Sequence, residues 1–435
     1  MQSYAVSLEQ MLDARERRAQ AQTALLAGAD ETCCLVSLSL NIAGDVKRTR
    51  KTRLLFDCGM RRFDALGFSG ITRRVTDAVT GTEALILLRE NAGAVKEALE
   101  RLEDAAPWAR LYDFDVLDHT GEKLSRSEPR RCIVCGGPVS VCARSRAHGL
   151  DAVKAATGAL LNACCAETLA DAAHDALLSE LYTTPKPGLV DRSNNGAHTD
   201  MDIPLFVKSA ASLVPYFQTA VRLGLADAGM APLKAAGQDA ERGMFSETRG
   251  VNTHKGMIYS MGLLLYGMGR SLSFGGDAIA HAASLAATDA QARLAHARTR
   301  CDTNGGAVCA RYGVSGAVGE AAGGFLHAVF CADRLLAYRN EANPGALALC
   351  DTMAILEDTN LLHRGGREGL AFAQAEAARI ASLPVSEREA ALAALDAEMI
   401  RRNLSPGGSA DMLALAYLLD AWRALSRNSE PEGSL

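Results

Sequence analysis

With 435 residues the chain exceeds what one hydrophobic core comfortably holds, so at least two domains are expected. Apolar residues at 48% and charged residues at 22% exclude a disordered chain, and 46 Lys and Arg interleaved with 51 Asp and Glu (net charge −5) lack the basic excess of a nucleic-acid binder. The most apolar stretch, 257–268, falls short of the roughly 20 residues a bilayer requires, and twelve cysteines with adjacent pairs Cys33-Cys34 and Cys164-Cys165 suit a reducing cytoplasm better than a secreted disulfide framework.

The first residues lack the charged-then-apolar order of a leader and read as an amphipathic helix. From Cys33 to about Val116, apolar runs of strand length, CCLVSLSL and ALILL, alternate with charged helical stretches, which predicts mixed α/β structure. VKEALERLED puts Val95, Leu99 and Leu102 on one helix face, and Pro107 ends that helix. Residues 110–116 alternate polar and apolar, so they form a strand with Asp113 and Asp115 on one face. Nucleotidyltransferases use two carboxylates so placed to hold Mg²⁺ against substrate phosphates, although an exposed edge-strand face has the same pattern. Next come Cys132, Cys135, Cys142 and His148, at knuckle-like spacing for zinc, with packed free thiols as the plain alternative. Arg130, Arg131, Arg144 and Arg146 around them suit phosphate or an acidic protein.

After about residue 150 the texture becomes Ala- and Leu-rich at helical period, over 151–182, 203–227, 256–273, 277–300, 306–340, 345–362, 367–383, 386–403 and 409–427. The boundary is placed near residue 163, giving an N-terminal α/β (α+β) nucleotidyltransferase-like domain over 1–163 and an all-α helical domain over 164–435. Four polar clusters interrupt these helices. Residues 185–202 gather Lys186, Asp191, Asn194, Asn195, His198 and Asp200, with Asp202 a helix cap before Ile203-Pro204. Residues 248–256 carry Asn252, His254 and Lys255 ahead of an apolar helix whose free N–H groups suit phosphate. Residues 357–366 carry Glu357, Asp358, Asn360 and Arg364. Residues 403–411 carry Ser405, Gly407, Gly408, Ser409 and Asp411; Ser409 can cap the last helix while the glycines let backbone approach an anion. Four such clusters at helix ends predict one polar, phosphate-compatible cleft.

The segments LDARER, SLNIAGDVK, RLYDFDVLD, PRRCIVC and CARSRAH, spread over about residues 5–160, resemble holo-citrate lyase synthase, the apo-citrate lyase phosphoribosyl-dephospho-CoA transferase. RLYDFDVLD is similar also to the malonate decarboxylase transferases. The resemblance implies that a serine of an acyl carrier protein of citrate lyase attacks the α-phosphorus of a 5″-triphosphate and releases pyrophosphate. Asp113 and Asp115 would then hold Mg²⁺, and Lys47, Arg61 and Arg110 are candidates for the triphosphate, each readable equally as a solvated charge.

TPKPGLVDRSNNGAHTDMD, GVNTHKG, EDTN and NLSPGGSADML closely resemble triphosphoribosyl-dephospho-CoA synthase over about residues 164–427. The implied reaction joins ATP and 3′-dephospho-CoA and releases adenine. A developing positive charge at C1′ makes Asp191, Asp200, Glu357, Asp358 and Asp411 the catalytic candidates. Lys186, Lys255 and Arg364 would meet triphosphate, with Mg²⁺; Asn194, Asn195, Asn252 and Asn360 suit ribose or base. A kinase, an ADP-ribose hydrolase, or a carrier-docking module with a nucleotide sensor are the competing readings.

Overall fold

The computed structural model describes residues 5–296, 308, 310–314 and 316–427. Two compact units divide the chain, one of Met1–Cys165 with Leu425–Leu435 and one of Ala166–Ala424.

In the first unit helix α1 (Leu8–Leu26) starts at a capping box in which Ser7 and Gln10 satisfy each other's backbone N–H. Four strands follow: β1 (Cys34–Leu40), β2 (Gly70–Ala78), β3 (Gly81–Leu88) and β4 (Tyr112–Asp118), with helices α2 (Arg50–Asp64) and α3 (Ala92–Asp104) between them. The sheet is antiparallel in the order β2-β3-β1-β4. Continuous apolar runs make β1 and β3 the central strands, buried through Leu35, Val36, Leu38, Leu85 and Ile86. Strand β4 alternates because it lies at an edge: Tyr112, Phe114 and Val116 face the core, while Asp113 and Asp115 face out opposite Ser39 and Ser37. The other edge, β2, is exposed and carries Arg73 and Arg74, which discourage edge pairing. A short helix α4 (Val139–Ser145) precedes the long α5 (Leu150–Tyr182).

The described residues of the second unit form helices and no strand: α6 (Ile203–Leu225), α7 (Met230–Glu247), α8 (Lys255–Phe274), α9 (Ala278–His296), α10 (Gly316–Ala322), α11 (Leu326–Ala337), α12 (Pro344–Met353), α13 (Thr359–Ala381), α14 (Val385–Arg401) and α15 (Gly407–Arg427). The apolar α8 is central. A side chain at Gly262, Gly267 or Gly269 would strike Tyr216, Ala278 or Val221, so small residues let neighbouring backbones approach.

Several helix boundaries differ from expectation. Helix α7 was not foreseen, because GQDAERG weakens its apolar period. The stretch expected as one helix over 306–340 includes α10 and α11, separated by a turn in which Phe325 adopts φ 57°. Residues 297–300 of the expected helix 277–300, and 306, 307, 309 and 315 of the expected helix 306–340, lie outside the described residues. The expected helices 345–362 and 367–383 are redrawn. The chain breaks after Met353, and Asp358 caps α13 by accepting from the N–H groups of Asn360 (2.8 Å) and Leu361 (3.3 Å). Among the described residues no helix is long and apolar enough to cross a membrane.

Candidate functional site

In the first unit the open face of β4 carries the acidic pair. Arg130 Nη1 lies 3.0 Å from Asp113 Oδ1, and Lys123 Nζ lies 2.6 Å from Asp115 Oδ1. Arg130 also reaches the buried Glu103 (2.6 Å), which in turn accepts from the Phe114 N–H (2.9 Å). Arg110 donates from Nη2 to the Arg131 carbonyl (2.7 Å), while its buried Nη1 meets no hydrogen-bond acceptor. Burial and the neighbouring Arg130 charge lower the Arg110 pKa. The carboxylates near this guanidinium are those of Glu103 and Asp104, and its buried Nη1 remains a donor without an acceptor. Two outward carboxylates fit Mg²⁺ bound jointly by protein and substrate phosphate, since both are hard oxygen donors. Lys47 turns instead to its own loop, donating to the Ile42 carbonyl (2.5 Å), and Arg61 is exposed on the last turn of α2.

A few residues on, the sulfur and nitrogen atoms of Cys132, Cys135, Cys142 and His148 all lie within 4.8 Å of one another. The N–H groups of Cys135 and Val134 pull the Cys132 thiol down to about 6.

In the second unit the polar clusters meet. Cluster one is held by its own carboxylate. Asp191 accepts from the backbone N–H groups of Lys186 (2.9 Å), Ser193 (2.7 Å) and Asn194 (3.2 Å). On α14, Asp396 accepts from Gly188 N–H (2.8 Å) and Asn194 Nδ2 (2.7 Å). Gly188 has φ 74°, and a Cβ there would collide with the Leu404 carbonyl, which ties cluster one to cluster four. Arg364 tightens the tie. Its Nη1 donates to the Ala197 carbonyl and Asn403 Oδ1 (both 2.9 Å) and its Nη2 to His198 Nδ1 (3.2 Å). A guanidinium only donates, so His198 carries its proton on Nε2 and donates to Ser405 Oγ (2.9 Å). Burial and Arg364 keep the His198 pKa below its ordinary value.

Deeper in, Lys186 is 1% exposed and its ammonium lies 2.5 Å from Glu180 on α5. Asp358 is equally buried. Besides capping α13 it accepts from Ser409 N (2.8 Å) and Ser409 Oγ (3.0 Å). Ser409 therefore does not cap the last helix, which starts two residues earlier at Gly407. Side chains at Gly407 and Gly408 would press on Asn360 Nδ2 (2.5 Å) and the Asp358 carboxylate (3.0 Å). Asp411, one turn on, is half-buried, and a Cβ on Gly256 would stand 2.9 Å from its Oδ2. Burial drives the Asp411 carboxyl well above the usual range, with the Asp358 and Glu180 charges adding to it. Burial also raises Asp358, opposed by its donors.

Cluster two closes the site. His254 is buried, shares a hydrogen bond between Nδ1 and Ser209 Oγ (2.7 Å), and meets Phe206 edge-on at 5.2 Å. Burial, then the Lys186 charge, lower its pKa to about 4, so it is neutral at pH 7. Lys255, more open, pairs with Glu241 at 2.5 Å, and Asn252 Oδ1 accepts the Lys255 N–H (3.3 Å). Glu357, Asn195 and Asp200 are exposed at the rim, Asp200 at 4.0 Å from His198. Glu180, Asp396 and Ser209 complete the network without any motif-like cue of their own, as does Asn403 from within the fourth cluster.

Comparison with known proteins gives the class first: the two families that match are both transferases, and the chain is a transferase. Residues 166–430 match the family ATP:dephospho-CoA triphosphoribosyl transferase, and residues 6–164 match apo-citrate lyase phosphoribosyl-dephospho-CoA transferase. The chain belongs to these families, joined in one polypeptide. Protein CitXG of Haemophilus influenzae is 34% identical over 463 aligned positions, covering 96% of this chain and 97% of that protein. The 2-(5''-triphosphoribosyl)-3'-dephosphocoenzyme-A synthase of Klebsiella pneumoniae is 39% identical, covering 60% of this chain and 92% of its own length. The probable synthase of Albidiferax ferrireducens is 41% identical over 58% of this chain and 90% of its own.

Proposed function

We propose that the second unit makes 2′-(5″-triphosphoribosyl)-3′-dephospho-CoA from ATP and dephospho-CoA, and that the first unit, with a nucleotidyltransferase-like use of its acidic pair, attaches it to a citrate lyase acyl carrier protein. The observation that carries the reading is the meeting of His254, Asp358 and Asp411, at the starts of α8, α13 and α15, with Glu180 at the end of α5 and Lys186 in the loop that follows it. In the ribosyl transfer the 2′-oxygen of dephospho-CoA bonds to C1′ of ATP as the C1′–N9 bond breaks. The bonding pair leaves with adenine, and the triphosphate remains on the ribose. Asp411 takes the hydroxyl proton: its surroundings make it a stronger base than an ordinary carboxylate, and the missing side chain of Gly256 leaves room beside its Oδ2. Positive charge at C1′ is stabilised by the acidic surroundings. Lys255 and Arg364 receive triphosphate, and Asn252, Asn360, Asn194 and Asn195 orient ribose and base. Lys186, Asp191 and Asp358 hold the loops that present these groups.

In the first unit a carrier serine Oγ bonds to the α-phosphorus, its hydroxyl proton passes to solvent, and pyrophosphate departs with the pair of the broken P–O bond. Mg²⁺, held by Asp113 and Asp115, would neutralise charge on the triphosphate. Arg110 supplies the free guanidinium nitrogen, and Arg130 releases Asp113 as phosphate arrives. Both active sites face a reduced, cytoplasmic pool of substrates.

The full chain incubated with ATP, Mg²⁺, dephospho-CoA and apo-carrier tests both halves by mass spectrometry. Adenine release together with a phosphoribosyl-dephospho-CoA increment on one carrier serine is the expected result. ATP cleaved to ADP or free phosphate without adenine would support a kinase or hydrolase instead. Binding without turnover would support a sensor, and labelling only of a malonate decarboxylase carrier would reassign the partner.

A further inference from the structure

We infer that Cys132, Cys135, Cys142 and His148 bind one structural zinc ion, and that this ion holds the arginine-bearing loop against the acidic pair on β4. Three observations carry the assignment. The first is donor geometry. A tetrahedral ion with Zn–S of about 2.3 Å and Zn–N of about 2.0–2.1 Å sets its ligand atoms roughly 3.5–3.8 Å apart. The structure places Cys135 Sγ and Cys142 Sγ at 3.5 Å and His148 Nε2 and Cys135 Sγ at 3.3 Å, with all four donors inside 4.8 Å.

The second is the turn. Cys132 N donates to the Gly137 carbonyl (2.7 Å), Gly136 N donates to the Cys132 carbonyl (2.9 Å) with Gly136 at φ 72°, and Val134 N–H points at Cys132 Sγ (3.5 Å). Backbone N–H groups aimed at sulfur stabilise a thiolate, the form that binds metal. A left-handed glycine directly after the second cysteine is what folds two thiols onto one side.

The third is the lack of a hydrophobic core around the four donors. From residue 117 to residue 156 no side chain is buried, and Val134, Val139 and Val141 stand in solvent. The three cysteines are free. Apart from Leu117 packing on the sheet core and the ion pairs of Arg126 and Arg130 with Glu103, this forty-residue stretch gains little from burial, and metal binding supplies folding free energy directly.

The consequence reaches the β4 face. Arg130 and Arg131 immediately precede Cys132; Arg130 meets Asp113 and Glu103, and the Arg131 carbonyl accepts from Arg110. The metal loop is thereby a positioning element for three groups of the proposed transferase site. The metal assignment itself does not rest on that reading.

The test uses the full chain carrying no polyhistidine tag. Plasma mass spectrometry should find about one zinc per chain. Stripping with pyridine-2,6-dicarboxylate and reloading with Co²⁺ should give tetrahedral visible bands and thiolate charge-transfer absorption, both absent in Cys135→Ser and Cys142→Ser. Trypsin should cut the stripped protein after Arg126, Arg130, Arg131, Arg144 or Arg146 far faster than the zinc form. Stripped, Mg²⁺-replenished protein should still release adenine. Zinc below about half an equivalent in protein handled without chelator, a Cys135–Cys142 disulfide in freshly isolated protein, or full metal retention in both serine variants would each overturn the assignment. These readouts stand whether or not the first unit proves to be the proposed transferase.

Discussion

Lys186 and Glu180 offer the sharpest test of how the second unit is held together. Their charged atoms lie 2.5 Å apart, and the side chains are 2% and 11% exposed. Removing one member of such a pair leaves an uncompensated charge and costs about 3–5 kcal/mol, whereas replacing both by neutral groups costs far less. Lys186→Met should therefore lower the melting temperature of the second unit by roughly 6–20 °C, at about 2–4 °C per kcal/mol for a unit of this size. Glu180→Gln should do similar damage. The double variant should melt above either single variant, with a coupling energy of at least about 1.5 kcal/mol. Calorimetry on the four proteins measures all of this. Losses that simply add, within about 0.5 kcal/mol, would refute the claim that the pair is an electrostatic unit.

Asp411→Asn should abolish adenine release yet stabilise the protein. A carboxyl whose folded pKa is raised binds its proton more tightly when folded, so its contribution is fully present below about pH 4 and is lost as pH rises through the folded pKa. The stabilisation by asparagine should accordingly be larger at pH 8 than at pH 5; urea midpoints at the two values check the sign, and an inverted trend would rule out a raised Asp411. His254 behaves oppositely. Its pKa is lowered to about 4 from 6.5, so stability is intact above pH 6.5 and falls by up to about 3 kcal/mol as pH drops toward 4. His254→Gln, which cannot titrate, should remove that part of the acid sensitivity while disturbing the bond to Ser209; a variant with an unchanged acid profile would assign the sensitivity to other groups.

Much of this was legible because the signals are local. Strands β1 and β3 announce themselves as apolar runs, β4 as alternation, and the four polar clusters stand out against Ala- and Leu-rich helices. Glu180 and Asp396 were not legible: each sits inside a helix whose pattern is ordinary, and only packing turns one toward Lys186 and the other toward Gly188 and Asn194. Arg130 drew notice for its neighbours, but its contact with Asp113 spans 17 positions and depends on the loop returning to β4. The start of helix α13 is ambiguous in local sequence. The acid in Glu357-Asp358 reads as the end of one helix when followed backwards and as the cap of the next when followed forwards, and local sequence does not choose.

Burial then divides the roles among residues that the sequence presents as equals. Asp191, Asp358, His254 and Lys186 are all nearly inaccessible, and each is already joined to protein atoms: Asp191 by three backbone N–H groups, Asp358 by four donors, His254 by Ser209, Lys186 by Glu180. Any of them could contact substrate only by abandoning a satisfied partner in a dry environment, which is costly. Lys255, Arg364, Asn252, Asn360 and Asp411 retain exposure at helix starts and loop edges. For Lys255, a phosphate oxygen would simply replace Glu241, an exchange of one half-exposed partner for another. Asp358 and Asp411 complete the logic. Burial raises both, but Asp358 has four donors that oppose the rise whereas the Asp358 and Glu180 charges add to it at Asp411, so Asp411 is the one pushed further toward binding a proton. The inner four residues are thus scaffold for the outer five, and substitutions should separate accordingly: inner ones lower stability and turnover together, outer ones lower turnover without lowering stability.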